Sequence, residues 1–543
     1  MLQKYWSPLT FTVLWLVMVV VTVATRPALP VDETRYLAVA WEMWLRGDFI
    51  VPHLNGETYS HKPPLLFWMM QLGWAVFGVN DWWPPLVAPL FALACLFLTR
   101  ALAQKLWLQR PLIADLAPII LLGALFWTVF TTVTMFDMLV AACTLWGLLG
   151  LLTVWRDGLA RGWIYLTLAI GIGVLAKGPV ILLQILPVAL LLPIWDREGR
   201  IENRKRWYLN ILLSVLGGAV IALAWAVPAG ILGGEAYRNA IFWGQTAGRV
   251  VDSFAHARPW WWYLAVIGPL LLPWSIWPTI WRGAAKARGW IWEEGQMRFC
   301  ILWFVPIFIA FSLISGKQLH YLLPIFPAVS FFLARVIDGE DIRSSRLGRL
   351  LPAGFMIVLA GALLIAPDLG IRKMPEWADL LATYWMGLPL GIALYLVIRP
   401  LGRRVAPVLG LTGMMVGFVV ALHLAAAPYL ARSFDMHALS EKIGEMQQDG
   451  FDVAFVGKYH GTFQFLGRLE KPIAELTTDR GHGLDEWVQA HPRAKVITLW
   501  KQPVPDHGAV DFVQDFRGHN MIVFDVAKLN GQLDLLDRRG RQK

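Results

Sequence analysis

PVDETRYLAVAWEMWLRGDFIVPHLNGETYSHKPP, residues 30–64, lies between two apolar stretches and decides how the rest of the chain is read. It gathers Asp32, Glu33, Arg35, Glu42, Arg46, Asp48, Glu57, His61 and Lys62 in a protein with only 16% charged residues. Ionisable groups beside a bilayer lose hydration, so a cluster of them marks a functional site unless each is solvated or paired. The apolar run before it, about residues 9–25, is followed by Arg26-Pro27 without a small-residue cleavage site, and reads as a retained first span. Within the loop, Tyr36, Val39, Ala40, Met43 and Trp44 recur at helical spacing. That pattern predicts an amphipathic helix on the membrane surface, with Asp32 near its N-terminus.

Outward from this loop the chain is apolar almost throughout. Of 543 residues 57% are hydrophobic and 30 are tryptophan, and the mean hydropathy is +0.53. Runs of the ~20 residues that cross a bilayer centre near Val17, Ala94, Leu122, Leu145, Ile170, Leu186, Ala222, Leu270, Ile307, Phe326, Leu359, Leu390 and Phe418. The expectation is an α-helical polytopic membrane protein with about 13 transmembrane helices. Residues 65–79 are also apolar but short, and read as an interfacial helix or the start of the second span.

The net charge of +10 suggests nucleic acid at first sight, but its carriers occupy short loops between apolar runs. Lys4, Arg100 to Arg110, Arg156 and Arg161, Arg197 to Arg206, Arg282 to Arg298, Arg335 to Arg349, and Arg399 to Arg404 form one alternate set. Such a set faces the cytoplasm by the positive-inside rule, which argues against nucleic acid as partner. The opposite set holds loop 26–62, the turns near Asp137, Lys177 and Lys317, and loops 230–259 and 367–382. An odd number of spans puts the C-terminus there too. Cys95, Cys143 and Cys300 lie apart within apolar segments, as packing residues do.

Residues 1–428 therefore read as a membrane unit, with juxtamembrane segments at 26–64 and 230–259. Residues 429–543 read as a small soluble α/β domain on the non-cytoplasmic side. Its strand signals are VAFVG at 453–457, KVITLW at 495–500 and MIVFDV at 521–526, with a helical pattern at 437–448.

Asp32 is a candidate catalytic carboxylate or, alternatively, a helix cap; Glu33 and Arg35 are otherwise solvated helix charges. Asp137, in TTVTMFDML, has so little polar company that it needs either a Lys or Arg partner or a catalytic use. Lys62, Lys177, Arg249, Lys317 and Tyr321 supply cations and a hydroxyl on the same side, suited to a phosphate in a partly dry site. Their alternative is snorkelling towards lipid headgroups. His53, His61, His256 and His320 lack i,i+4 spacing, so no metal site is assigned. No GxxxxGK phosphate loop is present. A flippase or transporter would expose functional charge to both faces and show two comparable halves, and neither pattern occurs.

DETRY at 32–36, GDFIVPHLNGETYSHKPPL at 47–65, MFDM at 135–138, LAKGP at 175–179 and HYLLPIFPA at 320–328 occur in that order. Together they resemble the bacterial aminoarabinose transferase (ArnT) family, related to protein O-mannosyltransferases and built on the GT-C glycosyltransferase fold. The resemblance implies a sugar donor carried on undecaprenyl phosphate and an acceptor at the periplasmic face of the inner membrane. In the best-known branch that acceptor is a lipid A phosphate, and the modification confers resistance to cationic peptides. It implies Asp32 and Asp137 as catalytic acids, with Lys62, Arg249 and Tyr321 around the donor phosphate and Arg35 and Tyr36 completing DETRY. Glu33, His61, Lys177, Lys317 and His320 complete the expected substrate-binding set. No soluble cofactor is required, and a divalent-cation requirement stays open. His61 stands where the family commonly has an acidic residue, and Gly244 to Gly248 lacks the acidic and histidine residues often found there. A protein or other glycan glycosyltransferase on the same scaffold is the alternative.

Overall fold

The computed structural model describes residues 6–244, 257–339, 346–366, 376–399, 404–476, 483–501 and 504–536. Helices dominate, because backbone in hydrocarbon has no water to bond and must satisfy itself. The chain begins α1 (Trp6–Thr25), α2 (Asp32–Arg46), α3 (Leu65–Phe77), α4 (Pro84–Leu106) and α5 (Pro111–Leu122). It continues through α6 (Leu125–Thr131), α7 (Phe136–Asp157), α8 (Arg161–Lys177), α9 (Val180–Leu190), the single turn α10 (Leu192–Trp195) and α11 (Arg204–Leu232). Among the described residues seven helices are long and apolar enough to cross a membrane, or eight if α5 and α6, bent by 68°, form one span. This is a multi-pass membrane protein.

The segments expected from hydropathy do not all become long helices. Those near Leu186, Leu359 and Leu390 are short apolar helices. Ile170 lies in the 17-residue α8, and Leu270 in the nine-residue helix Trp262–Leu270. A hydropathy window registers apolarity but not backbone breakers. Pro187 lies within α9 and Pro269 ends the helix at 270, and a proline removes a helical N–H and crowds the preceding turn. Residues 65–77 form a helix of their own, separated from α4 by Gly78 at φ +74°.

Helices α7 and α8 form an antiparallel hairpin whose closeness depends on two glycines. A Cβ on Gly150 would lie 2.5 Å from the carbonyl oxygen of Gly162, and one on Gly162 would lie 2.3 Å from that of Gly150. The hairpin brings the first turn of α7 beside the last of α8, and so Asp137 beside Lys177. At the opposite end the bundle is tied by Arg100–Asp115 at 3.1 Å, Arg110–Asp338 at 2.7 Å, Lys105–Asp157 and Arg335–Glu294. The arginine-rich loops and the candidate site thus occupy opposite ends of the molecule.

Beyond the helix Val405–Ser433 the chain forms the helix His437–Gln448 and a five-stranded sheet. A hairpin in the first loop supplies β1 (His53–Leu54) and β2 (Glu57–Thr58). The sheet holds β3 (Val453–Val456), β4 (Ala474–Leu476), β5 (Lys495–Trp500), β6 (Val510–Phe516) and β7 (His519–Asp525), in the order β4-β3-β5-β7-β6. β3 runs parallel to β4 and β5, and β7 antiparallel to β5 and β6. The strands foreseen as VAFVG, KVITLW and MIVFDV are β3, β5 and β7. β4 is too short to announce itself, and β6 half-exposes charged positions.

Lys495 fastens this sheet, donating to Asp511 at 2.8 Å and to Asp525 at 3.1 Å. Burial pushes the Asp525 carboxyl up, but the Lys495 hydrogen bond and charge outweigh it and hold the carboxyl below its ordinary 3.8. Burial likewise pulls Lys495 down, and its two carboxylates carry it above its ordinary 10.5. Asp525 therefore stabilises the fold above pH 3.8 and loses that contribution as pH falls through its folded value. Lys495 contributes below pH 10.5 and loses it as pH rises through its own raised value. Lys495→Met leaves the buried Asp525 carboxylate with only the exposed Lys528 at 3.6 Å, and is expected to cost about 3 kcal/mol. Hydrogen exchange of β5 and β7 near neutral pH would register it, with the wild-type/variant gap narrowing in acid.

Candidate active site

The first loop is shaped by its own sequence. α2 buries Tyr36, Val39, Ala40 and Met43 and half-buries Trp44, as the spacing required. Val31, not Asp32, occupies the N-cap, so Asp32 lies in the first turn, where a carboxylate complements the helix dipole. Its side chain is 57% exposed and ion-paired with Arg35 one turn on.

A cavity of about 560 Å³ opens at this end of the bundle, within the usual range for small-molecule sites. His61, Lys62, Asp137, Lys177 and Tyr321 line it, backed by apolar Val140, Val174, Leu183 and Leu223. Asp137 accepts from the Lys177 ammonium at 2.7 Å and lies 3.9 Å from His320 Nε2. The partner that would account for this carboxylate is thus present, and both members of the pair face the cavity. Lys177 also lies 4.6 Å from the centre of the Tyr321 ring, and Lys62 lies 5.7 Å from that of Phe136. Two ammonium groups against one carboxylate make the wall receptive to an anion.

Asp32 is not among the lining residues, although the resemblance gives it a catalytic role alongside Lys62 at the donor phosphate. The two are connected through Tyr36, whose ring meets Phe136 edge-on at 5.0 Å, while Phe136 carries Lys62. Burial and then the Asp32 charge push the Tyr36 phenol above its ordinary value, so it remains a hydrogen-bond donor across the working pH range.

Two expected substrate contacts are structural instead. Glu33 is buried, pairs with Arg26 through contacts of 2.6 and 2.9 Å, and accepts from the backbone of Leu29 and Thr134. It clasps the end of α1 to the turn that precedes Asp137. Lys317 is buried and donates to the carbonyls of Arg258 and Ile314, with burial drawing its pKa down. Arg249 lies outside the described residues. Among the described residues no three His, Cys, Asp or Glu side chains gather as a metal-ligand set.

Sequence reasoning missed several participants. Arg26 belongs to no motif in the sequence, and its clasp with Glu33 has no local signal. Trp225 of α11 donates to the Ile50 carbonyl at 2.9 Å and ties the cavity wall to the first loop. The C-terminal sheet unit packs against the first loop and α3. Trp41 donates to the Leu469 carbonyl at 3.0 Å, Asn55 exchanges hydrogen bonds with the Ile473 backbone, and Phe465 stacks on Trp74. His460, just before Gly461, feels the charges of Arg35 and Asp32. Burial lowers its pKa, Arg35 and Lys458 add to that, and Asp32 opposes, so the ring is neutral at pH 7. The next residue, Gly461, has φ +78°, and a Cβ there would lie 2.6 Å from Leu54 Cδ1 and 2.9 Å from Ala38 Cβ. Gly461→Val is expected to lift the sheet unit off α2. Faster hydrogen exchange in residues 32–46, with α7 and α8 unchanged, would register it.

The chain is 32% identical over 510 residues to undecaprenyl phosphate-alpha-4-amino-4-deoxy-L-arabinose arabinosyl transferase 1 of Pseudomonas fluorescens Pf0-1. The match spans 89% of this chain and 85% of that protein. The chain belongs to the aminoarabinose transferase family. Another family member, from Edwardsiella ictaluri, is 29% identical over 67% of this chain and 66% of its own length. A family profile for dolichyl-phosphate-mannose-protein mannosyltransferase matches residues 61–226, which include Lys62, Asp137 and Lys177. In architecture the chain superposes on the crystal structure of apo ArnT from Cupriavidus metallidurans, with a TM-score of 0.74 at 19% identity, covering 98% of this chain and 100% of that one. The undecaprenyl phosphate-bound form of that protein gives 0.71 at 20% identity, covering 97% and 99%. The shared fold therefore extends through the C-terminal sheet, where sequence motifs are sparse.

Proposed function

We propose that this membrane enzyme transfers 4-amino-4-deoxy-L-arabinose, or a related sugar, from undecaprenyl phosphate to a lipid A phosphate. The reaction takes place on the periplasmic face of the bacterial inner membrane. Residues 1–428 form the catalytic membrane unit and 429–543 a periplasmic domain. The observation that carries this reading is the cavity in which Lys62 and the Asp137–Lys177 pair face an apolar wall at one end of the bundle. A prenyl phosphate has matching parts, an anionic head and an apolar tail.

In this reading the sugar C1–O bond to the prenyl phosphate breaks, and a bond from C1 to an acceptor phosphate oxygen forms. Lys62, Lys177 and Arg249 neutralise the departing phosphate, and Tyr321 donates to it. Fixed donors aimed where charge develops lower the barrier because they need no reorganisation. Asp137 keeps the Lys177 ammonium in place. Asp32, held by Arg35 and open to solvent, receives and orients the acceptor; an acceptor already ionised needs orientation more than deprotonation. The lipid phosphate is itself the leaving group, so no soluble cofactor enters.

The purified full chain, given undecaprenyl phosphate-aminoarabinose and lipid A, is expected to add one aminoarabinose to a lipid A phosphate, read by mass. Transfer to protein or another glycan, with lipid A left unmodified, would replace the acceptor assignment. Lipid movement without any covalent product would replace the reaction.

A further inference from the structure

We infer that Gln184 reads the sugar of the donor: its carboxamide hydrogen-bonds a hydroxyl or amino substituent of the sugar held in the cavity, and so selects which prenyl-phosphate sugar is accepted. This rests on the proposed function and adds a residue to it that no motif singles out.

Gln184 is the lone polar residue of α9, whose sequence is VILLQILPVAL. It is 1% exposed and lines the same cavity as Lys62, Asp137 and Lys177. Its Oε1 has no hydrogen-bond partner among the described residues. A polar side chain inside a membrane helix, buried and unpartnered, lowers stability and so points to a use. Gln71 Oε1 is also without a partner, but the Gln71 amide nitrogen donates to the Ala40 carbonyl at 3.1 Å and the residue lies outside the cavity, so what sets Gln184 apart is its place on the cavity wall.

Position and chemistry narrow the ligand. Gln184 lies four residues into α9, about 6 Å along the axis from Val180 at 1.5 Å per residue. It therefore sits one turn from the Gly178-Pro179 break that follows Lys177. Cations in this cavity suit phosphate. The orphaned Oε1 needs a donor, which an ionised phosphodiester lacks even though it could accept from the carboxamide NH2, and a prenyl chain has no polar group at all. Sugar hydroxyl and amino groups donate and accept, and the carboxamide can turn to meet either. The surrounding Val140, Val174 and Leu183 keep the site dry, where an unmatched polar group is penalised most.

The test compares equilibrium binding of undecaprenyl phosphate-aminoarabinose and sugar-free undecaprenyl phosphate to the full chain in detergent micelles. Gln184→Leu is expected to weaken the sugar-bearing lipid roughly tenfold while leaving the sugar-free lipid within about twofold. Gln184→Glu, which keeps an acceptor oxygen, is expected to retain more of the preference. Equal weakening of both lipids, or wild-type binding of both, would overturn the inference. Gln184→Met, close in shape, serves if the leucine variant does not fold. A wild type that discriminates through Gln184 yet transfers no sugar would overturn the proposed reaction and leave this inference standing.

Discussion

Replacing Lys62 by methionine is expected to lower kcat for sugar transfer by about 10²–10³-fold. The ammonium lies on the cavity wall, over the Phe136 ring and within electrostatic reach of Asp137. Its charge stabilises the phosphate most when the sugar bond breaks and negative charge grows there, so the loss should fall more on kcat than on donor KM. Lys62→Arg restores charge with a different shape and should recover part of the rate. Steady-state kinetics with purified donor separates the two parameters. A pure KM effect would make Lys62 a docking residue only.

The second large effect concerns Asp137 and Lys177. The pair is buried, at 5% and 16% side-chain exposure, and joined at 2.7 Å. Removing one member strands the other's charge, which typically costs about 3–5 kcal/mol. Asp137→Asn and Lys177→Met are each expected to lower the thermal midpoint in detergent. The double variant should recover much of that loss, because neither charge is left unpaired. Transfer should not recover with it, since the ammonium that faces the phosphate is gone. That divergence between stability and turnover is the signature of a pair that both holds the fold and acts on substrate. Recovery of both together would reduce it to a structural ion pair.

These effects trace back unevenly to the sequence. The amphipathic face of α2 was legible because helical spacing and burial follow the same periodicity. The presence of Asp137, Lys177 and Lys62 at one membrane boundary was legible because charge alternates between loops of a multi-pass chain. Their actual partners were not. Nothing local says that Asp137 meets Lys177, because that contact depends on Gly150 and Gly162 letting α7 and α8 close. Glu33 had the look of a site residue, yet its lone pairs are used by Arg26 and two backbone amides. The prolines of α9 and residue 269 shortened helices that hydropathy alone had drawn as spans. The seat of the C-terminal sheet on α2, through Asn55, Trp41 and Gly461, joins residues more than 400 positions apart and has no sequence signal.

Asp32 lies outside the cavity wall, yet in the proposed reaction it receives the acceptor. The decisive measurement is kcat and donor KM of Asp32→Asn with purified undecaprenyl phosphate-aminoarabinose and lipid A. A fall in kcat of about 10²-fold or more is expected, with donor KM near the wild-type value because the cavity cations are untouched. Turnover at the wild-type rate would contradict it.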